Sequence, residues 1–507
     1  MNTVPSTLLR NGSAVALPAI PRVAPDEFRE CVLRGCANGG RIAALFGQPT
    51  PGGNVRLWAV LAQEAEGHLA VWTTEAADRY PALTPACLQA HWFEREIAEQ
   101  WGIQPEGHPW LKPIRYHRSY RDGHDAWGRS PEDPIQPSVT DFFSMAGEEV
   151  HEVAVGPVHA GVIEPGHFRF QCHGEEVYHL EISLGYQHRG LERALAGGPD
   201  KRTIPYMETA AGDSTVGHCL AGCEALEALA GATVSPRAQA LRAIALELER
   251  LANHTGDLGA LANDIGYLPT ASYCGRIRGD LLNLTALLCG SRFGRGLIRP
   301  GGVGFDMEPA RLAEFRDRLA RARADVANAV ELLWNSSSVR SRRENAGAVS
   351  REEALDLGLV GVAARGSGLE RDVRAQFPSG IYRFVQIPVS SYHTGNVFAR
   401  AYVRWIEIQR SLTFMFDQLK ALPDGPARVD LGPLAPNHLV VSLTEGWRGE
   451  ICHVGLTDAA GRIAHYKIVD PSFHNWMGLA LALRGQQISD FPLCNKSFSL
   501  SYCGHDL

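Results

Sequence analysis

The sequence predicts an α+β protein in which a small α/β domain precedes a larger domain, mainly a helical bundle with a small antiparallel sheet at its start. Three observations support this. The chain has 507 residues, which is too long for one core. Strand-like stretches precede a helix near the N-terminus, and amphipathic helix patterns fill the second half. We expect an N-terminal extension over 1–24, a first domain over 25–116, a linker over 117–150 and a second domain over 151–507.

The first domain is predicted to hold three strands and one helix. The strand-like stretches cover residues 41–46, 56–62 and 68–73. Thr84 and Pro85 form a cap and first-turn pair, which predicts a helix over 86–101, and Gly102 is placed to end it. This order of elements is typical of a compact α/β unit.

The region between the domains changes in composition. Residues 117–149 keep no apolar period and contain Pro131, Pro134 and Pro137 among Gly, Ser and Asp, which indicates a linker. A linker at this position favours the fusion of two ancestral polypeptides.

The second domain is predicted to open with strands and continue with helices. Alternating stretches around residues 156–177 predict a small antiparallel sheet. Ser235 and Pro236 predict the start of a long helix, and apolar residues three and four apart predict two more over 312–333 and 397–419. These spacings indicate a helical core and carry no information about a cofactor.

Composition excludes several classes of function. The formal net charge of -7 provides no basic surface for phosphates, so nucleic acid is not expected as a partner. No run of 18 apolar residues and no secretory signal are present, which predicts a cytoplasmic chain without a transmembrane segment. The 11 cysteines include no C-x-x-C pair, so neither a zinc ribbon nor a ferredoxin-type cluster is expected; most should be reduced, buried thiols.

Several strings place the second domain near a known family. They are GYQHRGLE at 185–192, ETAAGDSTVGH at 208–218, GGV at 301–303, RGSG at 365–368 followed by Arg371, Asp372 and Arg374, and DFPLCNKSFSLSYCGHDL at 490–507. Together they resemble the large subunit of membrane-bound, energy-converting NiFe hydrogenases of the hydrogenase-3/4 type and the quinone-pocket subunit of complex I. Arg189, Glu192, Arg365 and Asp372 mark the two shared signatures.

The first domain carries a resemblance of its own. The string WFEREIAEQWGI at 92–103, followed by G-H-P-x-L, resembles the end of the small peripheral-arm subunit of complex I. The acidic and basic residues Glu94, Arg95 and Glu96 are predicted to form a subunit contact surface, the alternative being a solvated helix face with an ion pair.

The resemblance implies that the nickel-iron ligands are missing. Hydrogenase large subunits bind both metals through two C-x-x-C pairs, and the matching positions here are Ala211 and Ser214 in one segment and Ser501 and Gly504 in the other. None of the four can supply a thiolate, which nickel and low-spin iron require. We therefore expect a hydrogenase-like fold with no metal site, and no C-terminal tail to be removed in maturation.

The same resemblance suggests residues that carry chemistry. Arg448 matches the arginine that lies over the metal centre in hydrogenases, and Glu164 matches their proton-passing glutamate. Glu164, His167, Glu175 and His218 are predicted to form a proton path, each having a structural role as its alternative. Asp213 is a polar group inside the former metal segment.

Two replacements for the lost centre follow. Asp213 is predicted to pair with Lys496 or His505 and so to fill the vacated space with balanced charge. Comparison with complex I points instead to a quinone site. In the complex I subunit, a tyrosine and a histidine bind the quinone. Here Ala210 lies near the position that matches the tyrosine, and only His159 or His167 could replace the histidine. NAD binding is a further implication of the complex I resemblance.

Three functions remain open at this stage. The first is a subunit of a membrane-associated redox complex that couples electron transfer to proton or ion movement at the inner face of the cell membrane. Its expected partners are an iron-sulfur small subunit of the complex I type, which would hold the cluster, a ferredoxin-like subunit and antiporter-like membrane subunits. The second is an oxidoreductase subunit that uses quinone or another small acceptor. The third is a non-catalytic scaffold.

Overall fold

The computed structural model describes residues 6–159 and 163–507. In the first part of the chain, strands and helices occur in the following order: β1 (Thr7–Leu9), β2 (Ser13–Ala16), α1 (Pro25–Ala37), β3 (Arg41–Pro49), β4 (Val55–Gln63), β5 (His68–Ala76), β6 (Arg79–Pro81), α2 (His91–Trp101) and β7 (Gln104–Glu106). The three strands predicted for this region are present as β3, β4 and β5.

The first sheet is antiparallel and has the strand order β1-β5-β4-β3. Its register pairs Phe46 with Trp58 and Trp58 with Thr73. The strands are buried along most of their length because α1 and α2 pack against the sheet. The short β6 and β7 form a separate parallel pair.

The predicted helix over 86–101 is shorter than expected. It begins at His91 after a 3₁₀ turn over Leu88–Ala90, and the prediction that Thr84 and Pro85 start it is wrong. The backbone N–H and the hydroxyl of Thr84 donate to the Glu94 carboxylate, so Thr84 is held in a turn beside the helix. Gly102 ends the helix with φ +64°, as predicted.

The rest of the chain contains the following elements: β8 (Val150–Val155), β9 (His167–His173), β10 (Glu176–Ser183), α3 (Leu191–Leu195), α4 (Thr203–Glu208), α5 (Thr215–Ala230), α6 (Pro236–Asp264), α7 (Leu268–Cys289), β11 (Ile298–Arg299), β12 (Gly302–Val303), α8 (Pro309–Trp334), α9 (Ser337–Glu344), α10 (Arg351–Asp356), α11 (Gly361–Gly366), α12 (Val373–Gln376), α13 (Val397–Lys420), β13 (His438–Glu445), β14 (Glu450–Thr457), β15 (Ile463–Val469), α14 (Pro471–Ala482), α15 (Phe491–Phe498) and α16 (Tyr502–Asp506).

The helical core of the second domain follows the predicted pattern. The three long helices expected from apolar spacing are α6, α8 and α13, and the Ser235 hydroxyl caps α6 by accepting from the Ala238 N–H at 3.1 Å. Helix α6 runs through the centre, packing against α7 and α13. The predicted antiparallel sheet at the domain entrance is β10-β9-β8.

A second four-stranded sheet joins the two ends of the chain. Its order is β15-β14-β13-β2, and β2 pairs antiparallel with β13 so that Val15 lies opposite Leu439. The Asn11 amide donates to the carbonyls of Phe377 and Leu443 at 2.7 and 2.9 Å. Residues 6–16 of the predicted extension are therefore built into both sheets.

The segment between β7 and β8 contains neither helix nor strand, yet it is attached to the second domain at several points. The Tyr120 hydroxyl lies 3.0 Å from His188 Nε2, and the His117 ring stacks on the His188 ring at 4.5 Å. Lys112 pairs with Glu181 at 2.9 Å.

Helix α2 lies inside the molecule. All residues from Trp92 to Trp101 are buried, so the prediction of a subunit contact surface at Glu94, Arg95 and Glu96 is wrong. Glu96 forms ion pairs with Arg115 and with Lys467 of β15. Arg115 also donates to the carbonyl of His505, at 2.8 and 3.0 Å. The string that resembles the small peripheral-arm subunit therefore joins the first domain to the C-terminal segment.

Candidate functional site

Residues 208–218 and 490–507 are the segments that the resemblance predicts to have lost their metal ligands; they are called the former metal segments here, and they lie close together. The first runs from the end of α4 through a turn into α5, and Ala211 and Ser214 in that turn are both buried. The second comprises α15, a turn at Ser499 with φ +53°, and α16. Arg189 ties them together by donating to the carbonyls of Thr209 and Ala210 in the first and of Cys503 in the second.

Three of the four residues that match the hydrogenase cysteine positions have structural contacts, namely Ser214, Ser501 and Gly504. The Ser501 hydroxyl caps α16 by accepting from the Gly504 N–H at 2.9 Å. A Cβ atom added at Gly504 would lie 2.6 Å from Asp470 Cγ, closer than real Cβ contacts. The Ser214 hydroxyl accepts from the Arg448 guanidinium at 3.3 Å. These residues offer no soft ligand, and Gly504 leaves no room for one, so they do not fit a nickel-iron centre.

The nearby cysteines do not replace the missing pairs. Cys219 and Cys223 face each other on α5 with their sulfur atoms 4.0 Å apart and are fully buried. Burial raises the pKa of the Cys494 thiol to about 12 and that of Cys503 to about 11, which keeps both protonated at neutral pH. Within the described ranges, no three His, Cys, Asp or Glu side chains converge in a way that could hold a metal ion.

An arginine-aspartate pair lies at the first segment. Arg448 binds the two carboxylate oxygens of Asp213 at 2.6 and 2.7 Å, donates to the carbonyl of Ser499, and lies 3.9 Å from the centre of the Trp447 ring. Burial by itself would lower the pKa of Arg448, but the Asp213 carboxylate outweighs it and the pKa is raised. The arginine therefore stays charged, and the bidentate geometry fixes both side chains.

A second ion pair lies at the other segment. Lys496 is 2.9 Å from Asp257 on α6, which also binds Arg404 at 3.0 Å and accepts from the Ser499 hydroxyl at 2.9 Å. Burial opposes the charged form, yet the two cations lower the pKa of Asp257 below its ordinary value. The predicted partnership of Asp213 with Lys496 or His505 is therefore wrong. Asp213 pairs with Arg448, and His505 contacts Asp506.

A chain of hydrogen bonds lies beneath these pairs. Tyr466 Oη is 3.0 Å from His453 Nδ1, His453 Nε2 is 3.2 Å from His218 Nδ1, and His218 Nε2 is 3.0 Å from Asp470. One assignment satisfies every donor: Tyr466 donates to His453, His453 donates to His218, and His218 donates to Asp470. Burial lowers the pKa of His453 well below its usual value, in agreement with that assignment.

A cavity of about 840 Å³ opens above the ion pairs. Of the six residues predicted to carry chemistry, Glu164, Asp213 and Arg448 line it. The lining also includes Asp257 and Lys496. Aromatic and aliphatic side chains complete its wall: Trp447, Phe491, Leu500 and Tyr502. The cavity therefore combines charged groups with apolar surface, which is typical of a small-molecule site.

The other three predicted residues lie elsewhere. His218 is buried beneath the cavity in the hydrogen-bonded chain. His167 is on β9, where it contacts Arg169 and the ring of Phe142. Glu175 is exposed in the turn between β9 and β10. None of the three lines the cavity, so the structure does not bring the four residues of the predicted proton path together there. Glu164 does reach the second segment, where its carboxylate accepts from the Tyr502 N–H at 3.2 Å.

The residues suggested by the comparison with complex I differ in their position relative to the cavity. His159 lines the cavity, whereas His167 does not, and Ala210 is fully buried in the core. Tyr502 lies in the string at 490–507 but was not predicted as a site residue; it lines the cavity with its ring centre 6.4 Å from that of His159. Asp257 was also missed, because it lies on α6, whose apolar spacing indicated only a helical core.

The shared signatures have structural partners. Glu192 binds Lys467 at 2.9 Å and accepts from the Ile468 N–H. Arg365 binds Glu407 at 2.6 Å and Glu445 at 2.7 Å, and lies 3.8 Å from Asp372. None of these side chains lines the cavity, so the signatures maintain the fold around it.

Comparisons with known proteins agree with this architecture. Residues 52–131 match the family described as the 30 Kd subunit of respiratory-chain NADH dehydrogenase, and residues 264–434 match that of its 49 Kd subunit. Formate hydrogenlyase subunit 5 of Escherichia coli K12 is 28% identical over 485 residues, covering 92% of this chain and 84% of the relative.

Two further relatives match a shorter part of the chain at slightly higher identity. Carbon monoxide-induced hydrogenase of Rhodospirillum rubrum is 30% identical over 348 residues, covering 68% of this chain and 96% of the relative. NADH-quinone oxidoreductase subunit 4 of Thermus thermophilus is 31% identical over 371 residues, covering 68% of this chain and 90% of the relative. Among the helices of the described residues, none has the length and apolar character needed to cross a bilayer. The chain belongs to the family that contains the 49 Kd subunit of respiratory-chain NADH dehydrogenase and the related hydrogenase subunits, joined here to a domain of the 30 Kd subunit type.

Proposed function

We propose that this chain is the large subunit of a membrane-associated redox complex in which the nickel-iron centre has been replaced by ion pairs. The observation that carries the proposal is the bidentate Asp213–Arg448 pair at the first segment, together with Gly504 packed against Asp470 at the second. Family membership supports the role in a redox complex. The chain would couple electron transfer in a partner to the movement of protons or other cations.

The cavity has groups suited to such coupling. Asp213 and Lys496 are partly open to the cavity, with side chains 37% and 34% exposed, whereas their partners Arg448 and Asp257 are buried. An exposed member of an ion pair can leave its partner when a nearby charge changes, and the buried member then attracts a proton or a counter-ion. A redox change in an adjoining subunit would therefore alter the charge state of this cavity.

The partners follow from the same reasoning. Since no metal-binding cluster is found within the described residues, the electron carrier would belong to an iron-sulfur small subunit of the complex I type and a ferredoxin-like subunit. Antiporter-like membrane subunits would conduct the ion. The chain would then lie on the cytoplasmic face of the membrane, attached through these partners.

Co-purification tests this proposal. The complex is isolated in mild detergent from cells that carry a tagged copy of this chain, and its redox-driven ion movement is measured in vesicles. We expect iron-sulfur and antiporter-like subunits to co-purify and Arg448→Ala to abolish ion movement. Isolation of the chain without redox partners would contradict the proposal. Full ion movement in Arg448→Ala, Glu164→Ala and Asp213→Ala would identify the chain as a scaffold.

A second function is favoured by one observation, the mixed lining of the 840 Å³ cavity. The rings of Trp447, Tyr502 and Phe491 provide apolar surface for a quinone or another flat acceptor, and His159 provides a hydrogen-bonding group. Photolabelling of the assembled complex with an azido-quinone would then modify peptides around these residues. Labelling that an excess of unmodified quinone fails to reduce would contradict this function.

A further inference from the structure

A second acid lies beside Asp213, outside the set predicted from the sequence. Glu249 on α6 accepts hydrogen bonds from the backbone N–H groups of Val216 and Gly217 at 2.7 and 3.1 Å, in the first turn of α5. The Asn253 amide donates to the backbone carbonyls of both Asp213 and Glu249, at 2.9 and 3.0 Å. Asn253 therefore fixes the backbones of the two acidic residues relative to each other.

A small cavity joins these groups. It has a volume of about 20 Å³, and its wall includes Asp213, Glu249 and Asn253. That volume is sufficient for about one water molecule, which would have the carboxylates as hydrogen-bonding partners. Asp213 and Asn253 also line the 840 Å³ cavity, so the two spaces share a wall.

The far side of the small cavity reaches the surface. Arg292 and Phe293, in the loop after α7, complete its wall, and both are exposed. Within the described part of the chain, Arg292 forms no ion pair, and its guanidinium lies 5.6 Å from the centre of the Phe293 ring. Going outwards from the large cavity, there is therefore first a carboxyl group, then space for one water molecule, and then an exposed loop.

The charged environment of Glu249 favours proton exchange near neutral pH. The charged groups around it are Asp213 in the turn before α5, Arg250 on α6 and Arg292 in the outer loop. Burial raises the pKa of the Glu249 carboxyl to about 8, and Asp213 adds to the increase, while the two N–H donors and Arg250 oppose it. A carboxyl with such a pKa can both accept and release a proton at physiological pH.

We propose that Glu249 is a proton-carrying residue that links the large cavity to the surface beside Arg292 and Phe293. When Asp213 separates from Arg448 and takes up a proton in the large cavity, it gives that proton to the water in the small cavity, and the water passes a proton to the Glu249 carboxylate. Glu249 then releases its proton to solvent at the outer loop. The role in coupling depends on the proposed function, but the protonation of Glu249 does not.

The direct test is infrared spectroscopy of the purified chain or complex during a pH titration. A protonated carboxylic acid has a C=O stretch that disappears on ionisation. Burial also raises the pKa of Glu224 and Glu445 to about 7, so their bands titrate in the same range, and we expect Glu249 to add a band of its own near neutral pH. Glu249→Gln should remove this band and Glu249→Asp should shift it. Glu331→Gln, a change at an exposed glutamate of α8, should leave it unchanged. If the difference between the wild-type and Glu249→Gln spectra shows no titrating C=O band above pH 6, the proposal is overturned.

The functional test uses the same variants in the assembled complex. We expect Glu249→Gln to slow ion movement by roughly 100-fold, within the usual range for a lost proton-transfer group, and Glu249→Asp to restore part of the rate. Unchanged rates in Glu249→Gln would overturn the role in the complex. If the wild-type complex moves no ions, the proposed function fails, whereas the infrared result still decides whether Glu249 carries the proton.

Discussion

Helix α2 and the former metal segments are two regions of similar family resemblance but opposite structure. In α2 the charged residues are buried and bonded within the chain, as Glu96 is to Arg115 and Lys467. In the former metal segments, Asp213 and Lys496 are partly open to a large cavity. The difference shows that a string resembling a family motif can lie in a buried contact in one place and beside an open cavity in another. Changes in α2 should therefore affect stability most, and changes around the cavity should affect function.

The largest effect is expected at the junction formed by α2. Glu96→Ala leaves Arg115 and Lys467 buried without this carboxylate, which should lower the free energy of unfolding by about 3–5 kcal/mol. Urea denaturation followed by circular dichroism measures the change. Glu66→Ala, at an exposed turn of the same domain, should change it by less than about 0.5 kcal/mol. Similar losses in the two variants would show that α2 is not an internal junction.

The next largest effect on the free energy of unfolding is expected at acid pH. Burial lowers the pKa of His254 from its ordinary 6.5 to about 4, so the histidine is neutral in the fold. Between these two pH values the unfolded chain binds one proton more than the folded chain does at this site. Stability contributed by the neutral form should therefore fall as the pH drops, by about 1.4 kcal/mol per pH unit.

The matched variant for this effect is His254→Gln, which keeps a donor for Glu407. We expect the pH dependence of its unfolding free energy between pH 6.5 and 4 to be shallower than that of the wild type by that amount. Equal slopes in the two proteins would show that His254 does not titrate differently on unfolding.

A smaller effect is expected where the second cysteine pair would have been. Gly504→Ala places a methyl group against Asp470, which should lower the free energy of unfolding by about 1–3 kcal/mol. Gly212→Ala serves as the control, because an added Cβ there has no neighbour within 4 Å. If thermal denaturation shows both changes to be tolerated equally, the site has room for a cysteine side chain after all.

The smallest effect on stability is expected at the open ion pair. Asp213→Asn keeps the shape of the side chain and loses one charge that is already partly exposed to solvent, so we expect a loss of about 0.5–1.5 kcal/mol in urea denaturation. Asp317→Asn, at an exposed position of α8, should have less effect. A loss above about 3 kcal/mol for Asp213→Asn would place this pair among the structural charges, with those of α2.

Sequence reasoning found the fold and part of the site for different reasons. Periodic apolar spacing identified α6, α8 and α13, and the vacated cysteine positions drew attention to Asp213 and Arg448. Partners distant in the chain could not be found in this way, as with Glu96 and Lys467, which are 371 positions apart. Glu249 was missed because it lies on a helix whose periodicity indicates only core. His167 and Glu175 were chosen from sequence order, which does not determine the direction of a side chain.

The most direct test of the central claim is the nickel and iron content of the complex, purified from cells supplied with nickel and analysed beside an active nickel-iron hydrogenase. We expect nickel far below one atom per chain, with iron accounted for by clusters in partner subunits. One nickel atom per chain would contradict it, because no thiolate is present at Ala211, Ser214, Ser501 or Gly504 to hold the metal.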